Sequence, residues 1–92
     1  MWPNESALWF RQFHPEAGQR PALVCFPHAG GAAAYWYPLS ASLRGRADVL
    51  SVQYPGRQDR RREPLPASID DLADAIVDAW VPPVQPPFAF FG

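Results

Sequence analysis

A glycine-containing turn carries the groups of this sequence that are best suited to chemistry, and it reads Pro27-His28-Ala29-Gly30-Gly31. It follows the apolar run 23–26, which is short enough for a strand buried on both faces of a parallel sheet. Pro27 ends the strand because it cannot donate a ladder hydrogen bond, and Gly30 and Gly31 have no Cβ to keep a ligand away from the backbone. Residues 32–37 then begin a helix, whose unpaired N–H groups point at one place and suit a negatively charged oxygen.

Two kinds of anion suit such a turn, a phosphate group and the oxyanion of a reacting carbonyl. The phosphate-binding patterns G-x-x-x-x-G-K-[ST] and G-x-G-x-x-G do not occur in the sequence, so the sequence favours the oxyanion. The alternative is a tight strand-to-helix turn without a ligand, since paired glycines commonly mark turns.

Length and composition indicate at most one small globular domain. The 92 residues are 48% hydrophobic and 14% aromatic, which is typical of a globular chain and not of a disordered one. The formal net charge of −1 gives no overall field that would attract nucleic acid or anionic lipid. Neither a signal-peptide pattern nor an apolar run of membrane-spanning length is found. The single cysteine, Cys25, predicts an inert core residue in a cytoplasmic protein.

The elements that must position the turn alternate between strands and helices. Besides 23–26, the sequence predicts strands at residues 7–13, 48–54 and 88–91 and a helix at 32–43. The mixed pattern of the first strand suits an edge of the sheet. Pro38 should interrupt or restart the helix, and Gly45 stands where a helix C-terminal glycine belongs. His14, beside a proline, is interpreted as a solvated turn histidine without a role.

A second helix is predicted from Ser68, whose side chain and Asp71 form a variant of the capping box. Pro82 and Pro83 should end this helix after roughly three turns. One stripe of apolar residues recurs at helical spacing: Ile69, Leu72, Ala73, Ile76 and Trp80. Strands joined by helices predict a parallel sheet with helices on both faces, which 92 residues can hardly complete. We therefore expect an unfinished α/β architecture with an aromatic edge at residues 88–91.

Two further groups of side chains have both a structural and a functional interpretation. Tyr35 and Trp36 either line an acyl pocket beside the turn or only pack there. The charge-dense loop 57–63 is either a solvated surface or a docking patch for an acidic partner or a phosphate group. The arginines of that patch are Arg57, Arg60, Arg61 and Arg62.

Four segments together carry a family pattern: Phe10-Arg11, the run 23–31, Val52-Gln53-Tyr54-Pro55-Gly56-Arg57 and Phe88-Ala89-Phe90-Phe91-Gly92. They resemble the type II thioesterases, which are α/β-hydrolase-fold enzymes that accompany polyketide synthases and non-ribosomal peptide synthetases. The resemblance implies that residues 1–92 are the N-terminal segment of a single α/β-hydrolase thioesterase domain, with a mostly parallel sheet flanked by helices.

The resemblance also assigns roles to particular residues. In that family the strand matching residues 88–91 runs into a Gly-His-Ser-x-Gly nucleophile elbow, so Gly92 matches its first glycine and the whole triad lies beyond Gly92. One donor of the oxyanion hole is implied to be the backbone N–H of Ala29, with Gly30 the next choice. His28 matches the oxyanion-turn histidine, which supports the loop together with Gly31.

The implied reaction is hydrolysis of acyl groups from the phosphopantetheine thioester of an acyl or peptidyl carrier protein, with the arginine patch as a candidate carrier contact. The resemblance implies no metal, no other cofactor, no nucleic acid and no membrane. Without a nucleophile, the 92 residues alone are expected to be inactive. The alternatives are a carboxylesterase-type serine hydrolase of the same fold and a non-catalytic interaction module.

Overall fold

A computed structural model describes residues 4–15, 18, 20–28, 30–80 and 88–92. The strands in these residues are β1 (Phe10–Arg11), β2 (Ala22–Cys25), β3 (Asp48–Val52) and β4 (Phe88–Phe91). The α-helices are α1 (Asn4–Trp9), α2 (Tyr37–Ser42) and α3 (Ile69–Ala79). Short 3₁₀ helices occupy Ala33–Trp36 and Gln58–Arg60.

The four strands form one sheet in the order β1-β3-β2-β4. The central strand β2 pairs in parallel with both neighbours, with Ala22 opposite Asp48 of β3 and Phe88 of β4. At the edge, β1 pairs antiparallel with β3, with Phe10 opposite Val52. The mostly parallel sheet and the edge position of the first strand are therefore confirmed.

The length predicted for the first strand is wrong, because residues 7–9 belong to α1 and only two residues pair as β1. In a continuous strand, Trp9 and Phe10 would point to opposite faces of the sheet. The end of α1 instead turns both side chains into the same core cluster, where they are 5% and 2% exposed. Burial of two adjacent aromatic side chains on one side thus replaces the alternation of a longer strand.

The face of the sheet under α3 is apolar. Phe10, Val24 and Val52 point to this face, and the ring of Trp80 lies edge-on to that of Phe10, with 5.5 Å between their centroids. The predicted cap is confirmed, since the Ser68 hydroxyl accepts a hydrogen bond from the Asp71 amide at 3.1 Å.

The limits of α3 agree with the prediction of about three turns, because the helix has 11 residues and ends at Ala79. Pro82 and Pro83 lie outside the described residues. The predicted apolar stripe is wrong at two positions, because Ile69 is 79% exposed and Ala73 is exposed as well. Ile69 begins the helix beyond the carboxyl edge of the sheet, and there it lines a cavity open to solvent and not the core.

The opposite face of the sheet, under α2, is smaller and more polar. Cys25 and Ser51 lie side by side in β2 and β3, and both are fully buried. The core position predicted for Cys25 is confirmed, and burial raises the pKa of its thiol to about 11, which disfavours the reactive thiolate. Pro38 lies in the first turn of α2, where the 3₁₀ helix passes into the α-helix, so the predicted restart is confirmed. Gly45, just beyond α2, has a φ of +80° as expected of a C-terminal glycine.

The interpretation of His14 as a solvated turn residue is wrong. Its Nδ1 lies 2.8 Å from the hydroxyl of Ser40, which is buried, and its ring packs 4.8 Å from that of Tyr37. Tyr37 and Ser40 stand three residues apart on α2 and therefore face His14 together. This contact lies toward the amino ends of the parallel strands, away from the turn after β2.

The last strand presents the expected aromatic edge. Phe88, Phe90 and Phe91 of β4 are 39%, 61% and 52% exposed. Phe88 and Phe90 contact Trp80 on one face, whereas Phe91 contacts Trp36 on the other. No helix among the described residues is long and apolar enough to cross a membrane.

Candidate functional site

The turn after β2 and the residue after β4 lie side by side at the carboxyl edge of the parallel strands. The amide of Phe26, the residue after β2, donates a hydrogen bond to the carbonyl of Phe91, the last residue of β4, at 2.9 Å. A Cβ added to Gly92 would lie 3.2 Å from both the Cβ and the carbonyl oxygen of Phe26, so a glycine permits this close approach. The structure therefore brings together two segments far apart in the sequence, at the edge where open α/β sheets bind ligands.

The turn itself is closed by a hydrogen bond from the Gly31 amide to the His28 carbonyl at 2.8 Å. Gly30 has a φ of +82°, which favours glycine, and an added Cβ there would meet nothing within 4 Å. A Cβ on Gly31 would instead lie 2.9 Å from the His28 ring and 3.0 Å from its carbonyl oxygen. The two glycines are needed for different reasons, Gly30 for backbone conformation and Gly31 for the close approach of His28.

The oxyanion donors stay a prediction. Ala29, the first candidate, lies outside the described residues. Gly30, the second, is exposed and lines a cavity of about 320 Å³. The wall of this cavity also includes Pro27, Tyr54 and Arg57, so the space adjoins both the turn and the arginine loop.

A series of aromatic rings connects the turn to β4. The His28 ring packs 4.9 Å from Tyr35, Tyr35 packs 5.0 Å from Trp36, and Trp36 packs 5.2 Å from Phe91. Tyr35 is 57% exposed, and the buried indole Nε1 of Trp36 has no hydrogen-bond partner among the described residues. The predicted pocket residues thus lie between the two segments of the site, although their contact with a substrate stays a prediction.

Two side chains that sequence reasoning left within a strand hold the turn at its two ends. The Gln53 Oε1 accepts a hydrogen bond from the Ala33 amide at 2.7 Å, and the Tyr54 hydroxyl donates to the Pro27 carbonyl at 3.1 Å. Burial raises the pKa of the Tyr54 phenol, which keeps this donor protonated. One signal for this role was present in the sequence. Gln53 is a polar side chain at the end of a buried strand, and such a side chain must find a hydrogen-bond partner.

The arginine loop is only partly a surface. Arg60 is 3% exposed, so its predicted place in an exposed docking patch is wrong. Its guanidinium donates to the Gln53 carbonyl at 2.7 Å, pairs with Glu63 at 2.7 Å and lies 4.2 Å from the centre of the Trp9 ring. The hydrogen bonds from Arg60 to Glu63 lower the pKa of the Glu63 carboxyl. Arg60 therefore satisfies a buried carbonyl that follows β3.

The other three arginines of the loop differ from Arg60. Arg61 and Arg62 are exposed and make no side-chain hydrogen bond or ion pair with another described residue. Arg57 is half-buried beside the cavity, where its Nε has no partner among the described residues. Their contact with a partner protein stays a prediction.

A salt bridge joins Arg11, which follows Phe10 in β1, to the arginine loop. The Arg11 guanidinium binds Asp59 through two hydrogen bonds of 2.7 and 3.2 Å, and these lower the pKa of the Asp59 carboxyl. Asp59 also accepts a hydrogen bond from the Gln53 Nε2 at 3.3 Å. The edge strand, the arginine loop and the residue that holds Ala33 are thus joined.

In the part of the chain that the structure describes, no group of three His, Cys, Asp or Glu side chains is placed to hold a metal ion.

Comparison with known proteins decides the family. The sequence pattern of the thioesterase domain family matches residues 21–92. The chain belongs to this family. It is 47% identical over 89 residues to a probable cadicidin biosynthesis thioesterase of Streptomyces griseus, and 49% identical over 89 residues to the thioesterase PikA5 of Streptomyces venezuelae. These matches cover 97% and 96% of this thioesterase chain, but only 25% and 32% of the two relatives.

A solved structure agrees with the family assignment. The type II thioesterase BorB from the borrelidin biosynthetic cluster superimposes on this thioesterase chain with a TM-score of 0.87 and 47% sequence identity. The match covers 92% of this chain and 35% of BorB. The chain thus spans between a quarter and about a third of the length of these relatives. The resemblance to type II thioesterases and the partial α/β-hydrolase fold are confirmed.

Proposed function

We propose that residues 1–92 are the N-terminal segment of a thioesterase domain that hydrolyses acyl groups from the phosphopantetheine thioester of carrier proteins. We call the polypeptide that contains this segment and the rest of the domain the complete thioesterase. The observation that carries the proposal is the placement of Gly92 beside Phe26, the residue that leads from β2 into the turn, at the carboxyl edge of the sheet. The relatives that take part in cadicidin and borrelidin biosynthesis support the substrate class.

The chemistry follows from what such a turn can do for a thioester carbonyl. In the proposed mechanism a serine of the elbow that begins at Gly92 attacks the carbonyl, and a histidine takes its proton while an aspartate orients that histidine. A backbone N–H of the turn, at Ala29 or Gly30, stabilises the oxyanion, and one such donor is worth about 3 kcal/mol in the transition state. The tetrahedral intermediate then collapses, the C–S bond breaks, and the phosphopantetheine thiol leaves with the proton from the histidine. Water, activated by the same histidine, attacks the acyl-enzyme and releases the acid and the free serine. Phosphopantetheine enters as part of the substrate, and no other cofactor is proposed.

The aromatic residues beside the turn are the proposed start of the acyl pocket. Tyr35 and Trp36 lie between His28 and Phe91, where an acyl chain attached to the elbow serine would leave the reacting carbonyl. Their ring faces offer apolar contact area without charge, which suits a hydrocarbon chain. We expect the enzyme to act in the cytoplasm, where Cys25 stays reduced.

The activity is tested on the complete thioesterase with one acyl group presented as a carrier-protein thioester and as an oxyester. We expect the thioester to give the higher kcat/KM. A preference for the oxyester would instead identify a carboxylesterase. If the protein hydrolysed neither substrate, the result would favour a non-catalytic module. Residues 1–92 prepared alone should hydrolyse neither substrate, because they lack the elbow serine.

The carrier contact is tested with Arg61 and Arg62, the two exposed arginines of the loop. Replacing both with glutamine should raise the KM for a carrier-bound substrate by about 3- to 10-fold and weaken its salt dependence. The KM for a small acyl thioester should not change. The matched control is Arg44→Gln, an exposed arginine after α2 at the opposite edge of the sheet. Equal KM values for the double variant and the wild type would exclude this contact.

A further inference from the structure

The segment that carries the turn is held by two neighbouring residues of a different part of the chain. Gln53 and Tyr54 follow β3, and their side chains point to opposite faces of the sheet. Tyr54 binds the Pro27 carbonyl before the turn, and Gln53 binds the Ala33 amide after it. The turn at residues 28–31 is therefore held between two fixed points.

The orientation of the Gln53 side chain is set by its partners. The Ala33 amide is only a donor, so the Gln53 oxygen must face it at 2.7 Å. The Asp59 carboxylate is only an acceptor, so the Gln53 nitrogen must face it at 3.3 Å. Both ends of the amide demand the same orientation, and Arg11 holds Asp59 in place through two further hydrogen bonds.

The segment has no local substitute for Gln53. The 3₁₀ helix Ala33–Trp36 is preceded by Ala32, whose side chain cannot accept a hydrogen bond from the first turn. A serine or aspartate at that position would accept from the Ala34 or Tyr35 amide and would leave the Ala33 amide to an acceptor from another segment. Here that acceptor comes from a residue twenty positions further along the chain. The place where the helix begins, and thus where the turn ends, depends on this contact.

We propose that Gln53 is a positioning residue of the oxyanion site. It holds the Ala33 amide, and through the backbone of residues 31–33 it fixes the turn that supplies the oxyanion donor. Because Gln53 is 1% exposed, it acts without touching the substrate. The inference rests on the proposed thioesterase function and adds to it a residue outside the triad and the oxyanion hole.

The test uses the complete thioesterase with Gln53→Met, which keeps the length of the side chain and removes both polar ends. The matched control is Gln58→Met, because the Gln58 Oε1 also binds the Gln53 Nε2, at 3.2 Å, but does not touch the turn. The double variant Gln53→Glu with Asp59→Asn restores an acceptor for Ala33 and exchanges the amide and the carboxylate between the two positions. Each protein is assayed for kcat, for KM and for the inhibition constant of an alkyl boronic acid, which forms a tetrahedral adduct with the serine.

We expect Gln53→Met to lower kcat by about 10- to 100-fold, less than complete removal of an oxyanion donor, with KM within about twofold. Boronate affinity should fall by the same factor, because both states need the oxyanion donor. Gln58→Met should change each constant by less than about twofold, and the double variant should recover most of the lost kcat. If Gln53→Met does not fold, Gln53→Asn, which is one methylene too short, should show the same pattern at about 10-fold.

Two results would overturn the inference alone, in a complete thioesterase whose wild type is active. One is a folded Gln53→Met enzyme with wild-type kcat, and the other is a loss of kcat that leaves boronate affinity unchanged. A wild-type protein that hydrolyses no thioester would overturn the proposed function, and this inference with it.

Discussion

The two faces of the sheet differ in what they contribute. Under α3, side chains such as Phe10, Val24 and Leu50 are apolar and at most 2% exposed. Under α2, the buried groups include Gln53 and the hydroxyl of Ser40, which are hydrogen-bonded, and Ser51, whose Oγ has no partner among the described residues. Apolar burial is not directional, whereas a hydrogen bond fixes distance and angle. One face therefore supplies stability, and the other supplies orientation for the turn.

The largest expected effect would test the apolar face. Phe10→Ala in the complete thioesterase should lower the free energy of unfolding by about 3–5 kcal/mol, because it removes a buried ring and leaves a cavity beside Trp80. Denaturant unfolding measures this loss, and kcat of the protein that remains folded should be nearly unchanged. Leu8→Ala, at a side chain that is 38% exposed, is the control and should cost less than about 1 kcal/mol. A large fall in kcat for Phe10→Ala would break the separation between the two faces.

A somewhat smaller effect is expected at Arg60, which joins the end of β3 to the loop. Arg60→Met should lower the free energy of unfolding by about 2–4 kcal/mol, because the Gln53 carbonyl loses its charged donor and Glu63 loses its partner. Arg61→Met removes the same charge from an exposed neighbour and should stay within about 0.5 kcal/mol of the wild type. Equal stability of the two variants in thermal unfolding would show that burial of Arg60 carries no energetic weight.

Tyr54 contributes to both faces, because its ring packs against the apolar core while its hydroxyl holds the Pro27 carbonyl. Tyr54→Phe keeps the ring and should cost about 1 kcal/mol of stability, together with a fall in kcat of about 3-fold. Tyr37→Phe removes a hydroxyl from a side chain that is 51% exposed, and it should change neither quantity. Steady-state kinetics and unfolding of the same samples would separate the two contributions, and an unchanged kcat would limit Tyr54 to packing.

The smallest effect concerns the pH dependence of the salt bridge between Arg11 and Asp59. Because Arg11 holds the pKa of Asp59 below its ordinary value, the folded protein keeps this carboxylate charged at a pH where the unfolded chain binds a proton. The stabilisation is therefore present above about pH 4 and is lost as the pH falls through the folded pKa. Unfolding of the wild type and of Asp59→Asn should differ most above about pH 4 and converge as the pH falls through the folded pKa of Asp59. A difference that does not change with pH would contradict this assignment.

The sequence predicted the elements whose signals lie within the element itself. β2, β3 and β4 were found because each is a short run with apolar residues that ends at a breaker, and α3 because Ser68 caps it. The limits of β1 were missed because Trp9 and Phe10 share one core, which only the packing of α1 on the sheet reveals.

The same division holds at the site. The turn was found because glycine itself indicates what the backbone needs: a positive φ at Gly30 and room for His28 at Gly31. The structural roles of Gln53 and Arg60 were missed because their hydrogen-bond partners lie on separate loops. The sequence does not show which buried polar groups these loops bring together. A glutamine at a strand end resembles any other polar residue until the segment that it caps is seen to have no cap of its own.

Because Cys25 is fully buried, the rate at which its thiol is labelled can report how often the sheet opens. A thiol in the central strand reacts with an alkylating reagent only when β2 separates from its neighbours, so the labelling rate counts such openings in otherwise native protein. Since it is the only cysteine in these 92 residues, a mass shift in this segment would report one event, the parting of the strands that place the turn beside Gly92.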